Sequence, residues 1–310
     1  MTILIAGASG FVGTALLAEL RAHPQADGPS RPVRALVRRE FDAVRLRDQG
    51  VEAVTGDLAT GRGLEAAMRG VRTLVYLVHT LDAPGDVVAN DLEAVQNALL
   101  AARAAGVKRV IYLGHVGASP EARGQHLVAR WATELAVRQG GLAWLVLRAP
   151  LVVGRGSLLF EMMRRTVDRS PVVPVFRWRR TEVEPLALAD VAEALRIAID
   201  DPEMAGRTYD LTGATRTTFG AIARAWGRSH HRRRRVYLPI PGWGERLEEQ
   251  LAWSLARLPR RETRLLLETL RERQVADPSR RFPLGRRPLP LEAVLEGVAR
   301  AAASVTPQTP

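Results

Sequence analysis

Apolar positions in the first half of the chain switch repeatedly between continuous runs and helical spacing. Residues 3–6 form a short apolar run that ends at Gly7, and Val12, Leu16, Leu17 and Leu20 then recur at the spacing of an amphipathic helix over 11–22. Further runs at 33–37, 51–54, 73–78, 110–113 and 144–147 predict strands, and helices are expected over 87–105 and 127–138. Gly106 stands where a helix C-cap glycine would. Strands that are apolar throughout, rather than alternating, belong to a parallel sheet covered by helices on both faces. Strand and helix in alternation with short connections predict a doubly wound α/β fold with right-handed crossovers.

After residue 150 the pattern changes. Prolines thicken (Pro171, Pro174, Pro185, Pro239, Pro241) and tryptophans appear (Trp178, Trp226, Trp243, Trp253). Helical spacing dominates over 158–168, 191–199, 219–226, 245–258, 262–273 and 292–303, with one strand at 236–238. The expected division is a sheet domain over 1–155 and a smaller, mostly helical lobe over 156–305, some segments of which return to the sheet. The tail at 306–310 is expected to fray.

Composition narrows the function. A chain of 310 residues with 46% hydrophobic and 25% charged residues can build a large core and a soluble surface. The absence of cysteine excludes disulfides, thiolate metal sites and a cysteine nucleophile. The six histidines lack metal-ligand spacing, so no metal is expected. Neither a basic leader with a cleavage site nor a membrane-spanning apolar run is visible, and the longest candidate, 142–153, is broken by Arg148 and Pro150. The expectation is a soluble, cytoplasmic protein. The net charge of +12 comes from 45 Lys+Arg against 33 Asp+Glu and is almost all arginine. Such a surface attracts anions, phosphorylated cofactors among them. The densest run, Arg232-Arg233-Arg234-Arg235, reads as a solvated loop, since no nucleic-acid-binding motif accompanies it.

The turn Gly7-Ala8-Ser9-Gly10-Phe11-Val12-Gly13 carries the chemistry. A dinucleotide pyrophosphate needs backbone N–H donors at close range and a helix N-terminus aimed at it, and side chains at the turn would block that approach. Gly7 follows the strand directly, Gly10 lies where phosphate must approach, and Gly13 is expected to let the helix pack on the sheet. At the end of the second strand an acid would select NAD; here Arg38 and Arg39 stand instead, and two guanidiniums suit the 2′-phosphate of NADP(H).

With its Gly-x-x-Gly-x-x-Gly spacing the chain resembles the extended and atypical short-chain dehydrogenase/reductases, the group that includes the NmrA-like NAD(P)-binding proteins. Gly56-Asp57-Leu58 resembles the adenine contact of that family, and Tyr76-Leu77-Val78-His79 the end of the fourth strand beside the cofactor ribose. The segment 147–154, with Ala149 and Val152, resembles the stretch along the nicotinamide, and Leu188-Ala189-Asp190-Val191-Ala192 the usual start of the second lobe. The helical C-terminus is closest to a bacterial subgroup with an appended helical region.

The resemblance implies a Tyr-x-x-x-Lys pair after the fifth strand, in which the tyrosine transfers the proton and the lysine binds the ribose. This chain departs from it. Glycine follows Leu113 where serine is expected, and His126-Leu127-Val128-Ala129-Arg130 occupies the place of the pair. Two readings follow. In one, His126 is the proton donor and Arg130 holds the ribose, for reduction of a small apolar carbonyl, enone or quinone; histidine titrates near neutrality, which suits the role. His79 and His115 also fall near strand ends facing the nicotinamide. In the other, the chain is a non-catalytic NADPH sensor or assembly factor that binds a partner protein, as some NmrA-like proteins and a complex I accessory subunit do. Trp243, Leu247, Leu251 and Leu255 at helical spacing, flanked by Arg246, Arg257, Arg260 and Arg261, read as packing within the lobe, with peripheral membrane contact as the alternative.

Overall fold

The computed structural model describes residues 2–24, 32–81, 83–230, 235–240 and 245–303. The run Arg232-Arg233-Arg234, Trp243 and the tail at 306–310 lie outside the described residues.

The chain runs β1 (Thr2–Ala6), α1 (Phe11–Ala22), β2 (Val33–Val37), α2 (Glu40–Asp48), β3 (Glu52–Thr55), α3 (Leu64–Met68), β4 (Val71–Tyr76), α4 (Val87–Ala104), β5 (Arg109–His115), α5 (Gln125–Gln139) and β6 (Ala143–Ala149). It continues through β7 (Val152–Val153), α6 (Leu158–Arg169), β8 (Val172–Val175), β9 (Glu182–Val183), β10 (Leu186–Ala187), α7 (Leu188–Asp200) and β11 (Arg207–Asp210). The last elements are β12 (Thr217–Thr218), α8 (Phe219–His230), β13 (Val236–Pro239), α9 (Glu245–Ala256), α10 (Arg260–Leu270) and α11 (Leu291–Ala303).

Seven strands form one parallel sheet in the order β11-β6-β5-β4-β1-β2-β3. This is a doubly wound Rossmann-type sheet, and β1 shows why its strands are apolar throughout. Ile3 and Ile5 pack with Leu16, Leu17 and Leu195 on one face, while Leu4 and Ala6 pack with Val95 and Leu99 on the other. Successive side chains of a strand alternate in direction, so burial on both faces leaves no polar position. Each fully buried aliphatic side chain contributes about 1.5–3 kcal/mol.

The strands' ends differ from expectation in ways that shape the cleft. β4 occupies 71–76 rather than 73–78, so Leu77 and Val78 lie beyond its carboxyl end. β5 extends to His115, because the ladder with β6 continues to the pair His115 and Ala149. Helices α2 and α3 were not expected. In α2 only Ala43 and Leu46 are buried, too few for a visible period, and α3 has five residues.

After β6 the chain builds a second core from Phe160, Met162, Phe219, Trp226, Leu267 and Leu295, on α6, α8, α10 and α11. Within 156–305, α7 and β11 return to the sheet: Val191 and Leu195 join the core under α1, and β11 pairs with β6. The α9 stripe is divided. Leu251 and Ala252 pack on the second core and Glu248 is buried against Arg271 (2.6 Å), whereas Leu247 and Trp253 are exposed. The Arg260 guanidinium covers the Trp253 ring at 4.3 Å. Among the described residues no helix is long and apolar enough to cross a membrane.

Gly7 has φ +88°, which β-branched and bulky residues rarely adopt. The need for glycine at 13 is local rather than a matter of helix against sheet. A Cβ there would stand 2.2 Å from the Gly7 carbonyl oxygen and 2.7 Å from Ala8 Cα. A Cβ at Gly10 would meet the same oxygen at 3.2 Å. We therefore expect Gly13→Ala to destabilise the chain by about 1–3 kcal/mol and Gly10→Ala by a fraction of that, measured by urea denaturation. Equal costs would contradict the assignment of the crowding to Gly13.

Candidate functional site

The carboxyl ends of β1, β2, β4, β5 and β6 open into one cleft of about 820 Å³, lined at its centre by Gly7, Ser9, Gly10, Phe11, Val12 and Gly13. It lies where the strand order reverses between β1 and β4, the crevice in which doubly wound sheets bind ligands. Gly10 is the N-cap of α1, and its amide donates to the Gly7 carbonyl (3.0 Å). The next amides begin the helix and have no intrahelical acceptor, so they offer donors to an anion. Ala8 is fully buried and supports the turn from beneath rather than lining the cleft.

One arm of the cleft carries Leu36, Val37, Arg38, Asp57 and Leu58. Asp57 Oδ1 accepts from the Ala59 amide (2.9 Å), and Asn97 Nδ2 donates to the Leu58 (2.8 Å) and Ala59 (3.1 Å) carbonyls. That loop is therefore held from α4. Arg38 lines the cleft; Arg39 is exposed at the N-cap of α2 and does not.

The other arm carries Leu77, Val78, His79, Gly114, His115, His126, Arg130, Ala149 and Val152. The elements separate these residues by up to 75 positions in sequence and bring them to one floor. The His126 ring lies 6.3 Å from that of His79 and 6.2 Å from that of His115. His126 is 9% exposed, and its Nδ1 is buried without a hydrogen-bond partner. His115 Nδ1 donates to the Val116 carbonyl, which leaves Nε2 as the acceptor nitrogen. Burial, then the positive charge of Arg130 and the neighbouring His115 and His79, hold His126 well below the usual imidazole range. Burial likewise lowers His115 to about 4, against the Val116 hydrogen bond. The expectation that His126 titrates near neutrality is therefore not met, because solvent is excluded and a cation is adjacent.

Arg130 is also placed differently from expectation. Its Nη2 pairs with Asp91 Oδ2, and its Nη1 donates to the Val78 carbonyl (3.2 Å), so both terminal nitrogens are used within the protein. Asp91 Oδ1 accepts from the Thr80 amide (2.7 Å) and hydroxyl (2.8 Å). Asp91 was missed by sequence reasoning. The signal was present: an acid among Val87, Ala94, Val95 and Ala98, on the buried face of α4. Both tyrosines nearby are sequestered. Tyr112 donates to the Arg130 carbonyl (3.2 Å) and burial pushes its phenol up to about 12; burial raises that of Tyr76 further. A serine at 114 would bring its Cβ to 3.0 Å from the Tyr112 ring. Leu266 and Thr269 of α10 also line the cleft, a contribution from late in the chain that no local pattern announces. Among the described residues no cluster of three or more histidine or acidic side chains could hold a metal ion.

A family profile described as NAD(P)H-binding matches residues 7–158. The chain is 31% identical over 225 residues to an NAD(P)H azoreductase of Xenophilus azovorans, covering 72% of this chain and 72% of that protein. It is 31% identical over 195 residues to a ceramide reductase of Caulobacter vibrioides, covering 62% of this chain and 59% of that longer protein. Among solved structures, an NADPH-dependent quinone oxidoreductase of Escherichia coli in complex with NADPH has the same fold. The TM-score is 0.76 at 20% identity, over 95% of this chain and 99% of that one.

The histidines tie stability to pH. In the unfolded chain they bind protons near pH 6.5, whereas the native chain keeps His115 neutral down to about 4. Their contribution is complete above pH 6.5 and is lost as the pH falls toward 4, because the unfolded state then holds more protons. Imidazole resonances of His115 and His126 should not move between pH 8 and about 5. The loss of stability on acidification should be smaller in His115→Gln. A resonance of either ring titrating near pH 6.5 would refute this account.

Proposed function

Because this chain belongs to the NAD(P)H-binding family of atypical, NmrA-like short-chain dehydrogenase/reductases, we propose that it reduces a small, uncharged, largely apolar carbonyl, enone or quinone with NADPH. The observation that carries the reading is His126, a neutral and buried imidazole on the cleft floor, in the place where the family's tyrosine is missing.

The site fits a dinucleotide on its own geometry. The turn brings backbone to the cleft at Gly7, Gly10 and Gly13, where no side chain intervenes, and a Cβ at Gly10 would crowd the Gly7 carbonyl on which that turn closes. When bound, the dinucleotide supplies a hydride. Residues 7–13 would hold the pyrophosphate, Asp57 and Leu58 the adenine, and Leu77, Val78, His79, Ala149 and Val152 the ribose and nicotinamide side. Arg38 would meet the 2′-phosphate. No acid stands at the end of β2 to repel it, and the exposed Arg39 adds positive potential nearby.

A neutral imidazole cannot act as a strong acid. It can donate a ring N–H to an oxygen that gains charge as hydride arrives, and a donor of this kind in a water-poor site stabilises an oxyanion. The Arg130 cation, fixed by Asp91, contributes the same sign of potential, and the final proton comes from solvent. Residues 1–155 thus carry the cofactor, and the later elements close the substrate end through Leu158, Leu159, Leu266 and Thr269.

NADPH consumption measured against a panel of quinones, enones and aldehydes tests the reading. With an accepted substrate, His126→Phe should lower kcat by about 10²–10³, the effect of removing one oxyanion donor, with NADPH affinity retained. Tight NADPH binding without turnover of any acceptor would favour the sensor or assembly role instead. For the cofactor, Arg38→Ala should weaken NADPH by about tenfold or more, the worth of one charge-assisted hydrogen bond, and leave NADH nearly unaffected. Equal losses in calorimetry would show that Arg38 does not meet the 2′-phosphate.

A further inference from the structure

Helix α5 carries His126 on its first turn but does not cap itself. Its N-cap is Gly124, and no side-chain cap hydrogen bond is made there. The first amides of a helix need acceptors, and polar side chains at the N-cap normally supply one. Here the acceptors come from another helix. Glu268 of α10 accepts the Gln125 amide at 3.3 Å, and Glu272, just after that helix, accepts the Arg123 amide at 3.1 Å. The glycine belongs to this arrangement. A Cβ on Gly124 would stand 3.3 Å from Glu268 Cβ and 3.5 Å from the Glu268 carbonyl carbon, so a side chain there would require Glu268 to give by a few tenths of an ångström.

The charges fit as well. Glu268, on the last turn of α10, and Glu272, just beyond the helix, both bring carboxylates to the start of α5. The partial positive charge at that helix start favours both carboxylates. The same helix reaches the loop after β4. Arg261 donates to the Ala83 carbonyl and to the Gly85 carbonyl (2.5 Å). Leu266 and Thr269, between these anchors, line the cleft.

We propose that Glu268 is a positioning residue for His126: it caps α5 in trans and fixes the first turn on which the imidazole stands. The inference rests on His126 being the group that meets the substrate. It assigns a role to a C-terminal side chain that itself does not line the cleft. α10 thereby couples docking of the appended region to assembly of the reducing end of the site.

The test uses the full chain with Glu268→Ala and Glu268→Gln, the latter retaining an acceptor oxygen. In Glu268→Ala, hydrogen exchange at the Gln125 amide should accelerate about tenfold, the scale of one lost cap. The His126 imidazole resonances should shift, and NADPH affinity should stay as in the wild type. Glu268→Gln should restore most of the protection and the resonance positions. With an accepted substrate, kcat should fall in the alanine variant and recover in the glutamine one, with KM for NADPH unchanged. Unchanged Gln125 exchange in Glu268→Ala, or alanine and glutamine variants that behave alike, would overturn the proposal. If no acceptor is reduced, the function reading fails, and exchange together with the imidazole resonances still decides the cap. If the alanine variant does not fold, Glu268→Gln and Glu272→Gln are compared with the wild type by the same exchange measurement, and protection of Gln125 and Arg123 unchanged by both would fit the cap only if the amide oxygens replace the carboxylates, which Glu268→Leu then decides by losing it.

Discussion

The Asp91–Arg130 pair is buried at the floor of the cleft, which Arg130 lines, and both its charges must be satisfied where little water reaches. Removing two ions from water costs several kcal/mol each, and their attraction offsets this only when the remaining donors and acceptors are also used. Here the carboxylate takes the Thr80 amide and hydroxyl and the guanidinium takes the Val78 carbonyl, with Arg130 Nε alone of the pair's polar atoms left without a partner. One pair thus joins α4, α5 and the segment that leaves β4. His79 sits between Val78 and Thr80, so its backbone is fixed on both sides by the same two charges. Burial, and then the cation at Arg130, depress His126 and His115, which keeps both imidazoles neutral.

That arrangement explains how the chain departs from its family's catalytic pattern without losing the shape of the site. The tyrosines it retains in this region, Tyr76 and Tyr112, are wholly buried, and Tyr112 is engaged with the Arg130 backbone. Glycine at 114 accommodates the Tyr112 ring. His126 and Arg130 keep a spacing of one helical turn, but the arginine is drawn inward by Asp91, and His126 Nδ1 and Arg130 Nε are both buried without a hydrogen-bond partner. A neutral ring donor beside a fixed cation suits stabilisation of negative charge on oxygen better than proton transfer between groups of matched pKa.

The elements after β6 act on this site from outside the sheet. α7 and β11 extend the sheet's own layers, and α6, α8, α9, α10 and α11 share a separate core. α10 meets the sheet domain through an apolar cluster of Leu265 with Leu81, Val87 and Ala129, and through polar links, among them Arg261 to the loop after β4 and Glu268 to α5. The cluster supplies buried apolar area, and the polar links hold loop backbone and the start of α5 in place.

The sequence by itself determined the sheet, the turn and their order. β1, β2 and α1 fall where the apolar runs and the 3.6-residue period put them, because burial on both faces or on one stripe leaves a mark on consecutive residues. The glycine turn was legible for the same reason: backbone approach forbids side chains at fixed positions. Helix α2, with two buried residues, left no such mark. The protonation state of His126 could not be read locally, since it follows from burial by distant elements and from Arg130, His115 and His79 converging from three segments. Asp91 as the partner of Arg130, and Glu268 as the cap of α5, are likewise contacts across 39 and 143 residues. Local periodicity records which face of an element is buried. Only the tertiary structure decides what that face meets, and the electrostatics of the site depend on the meeting.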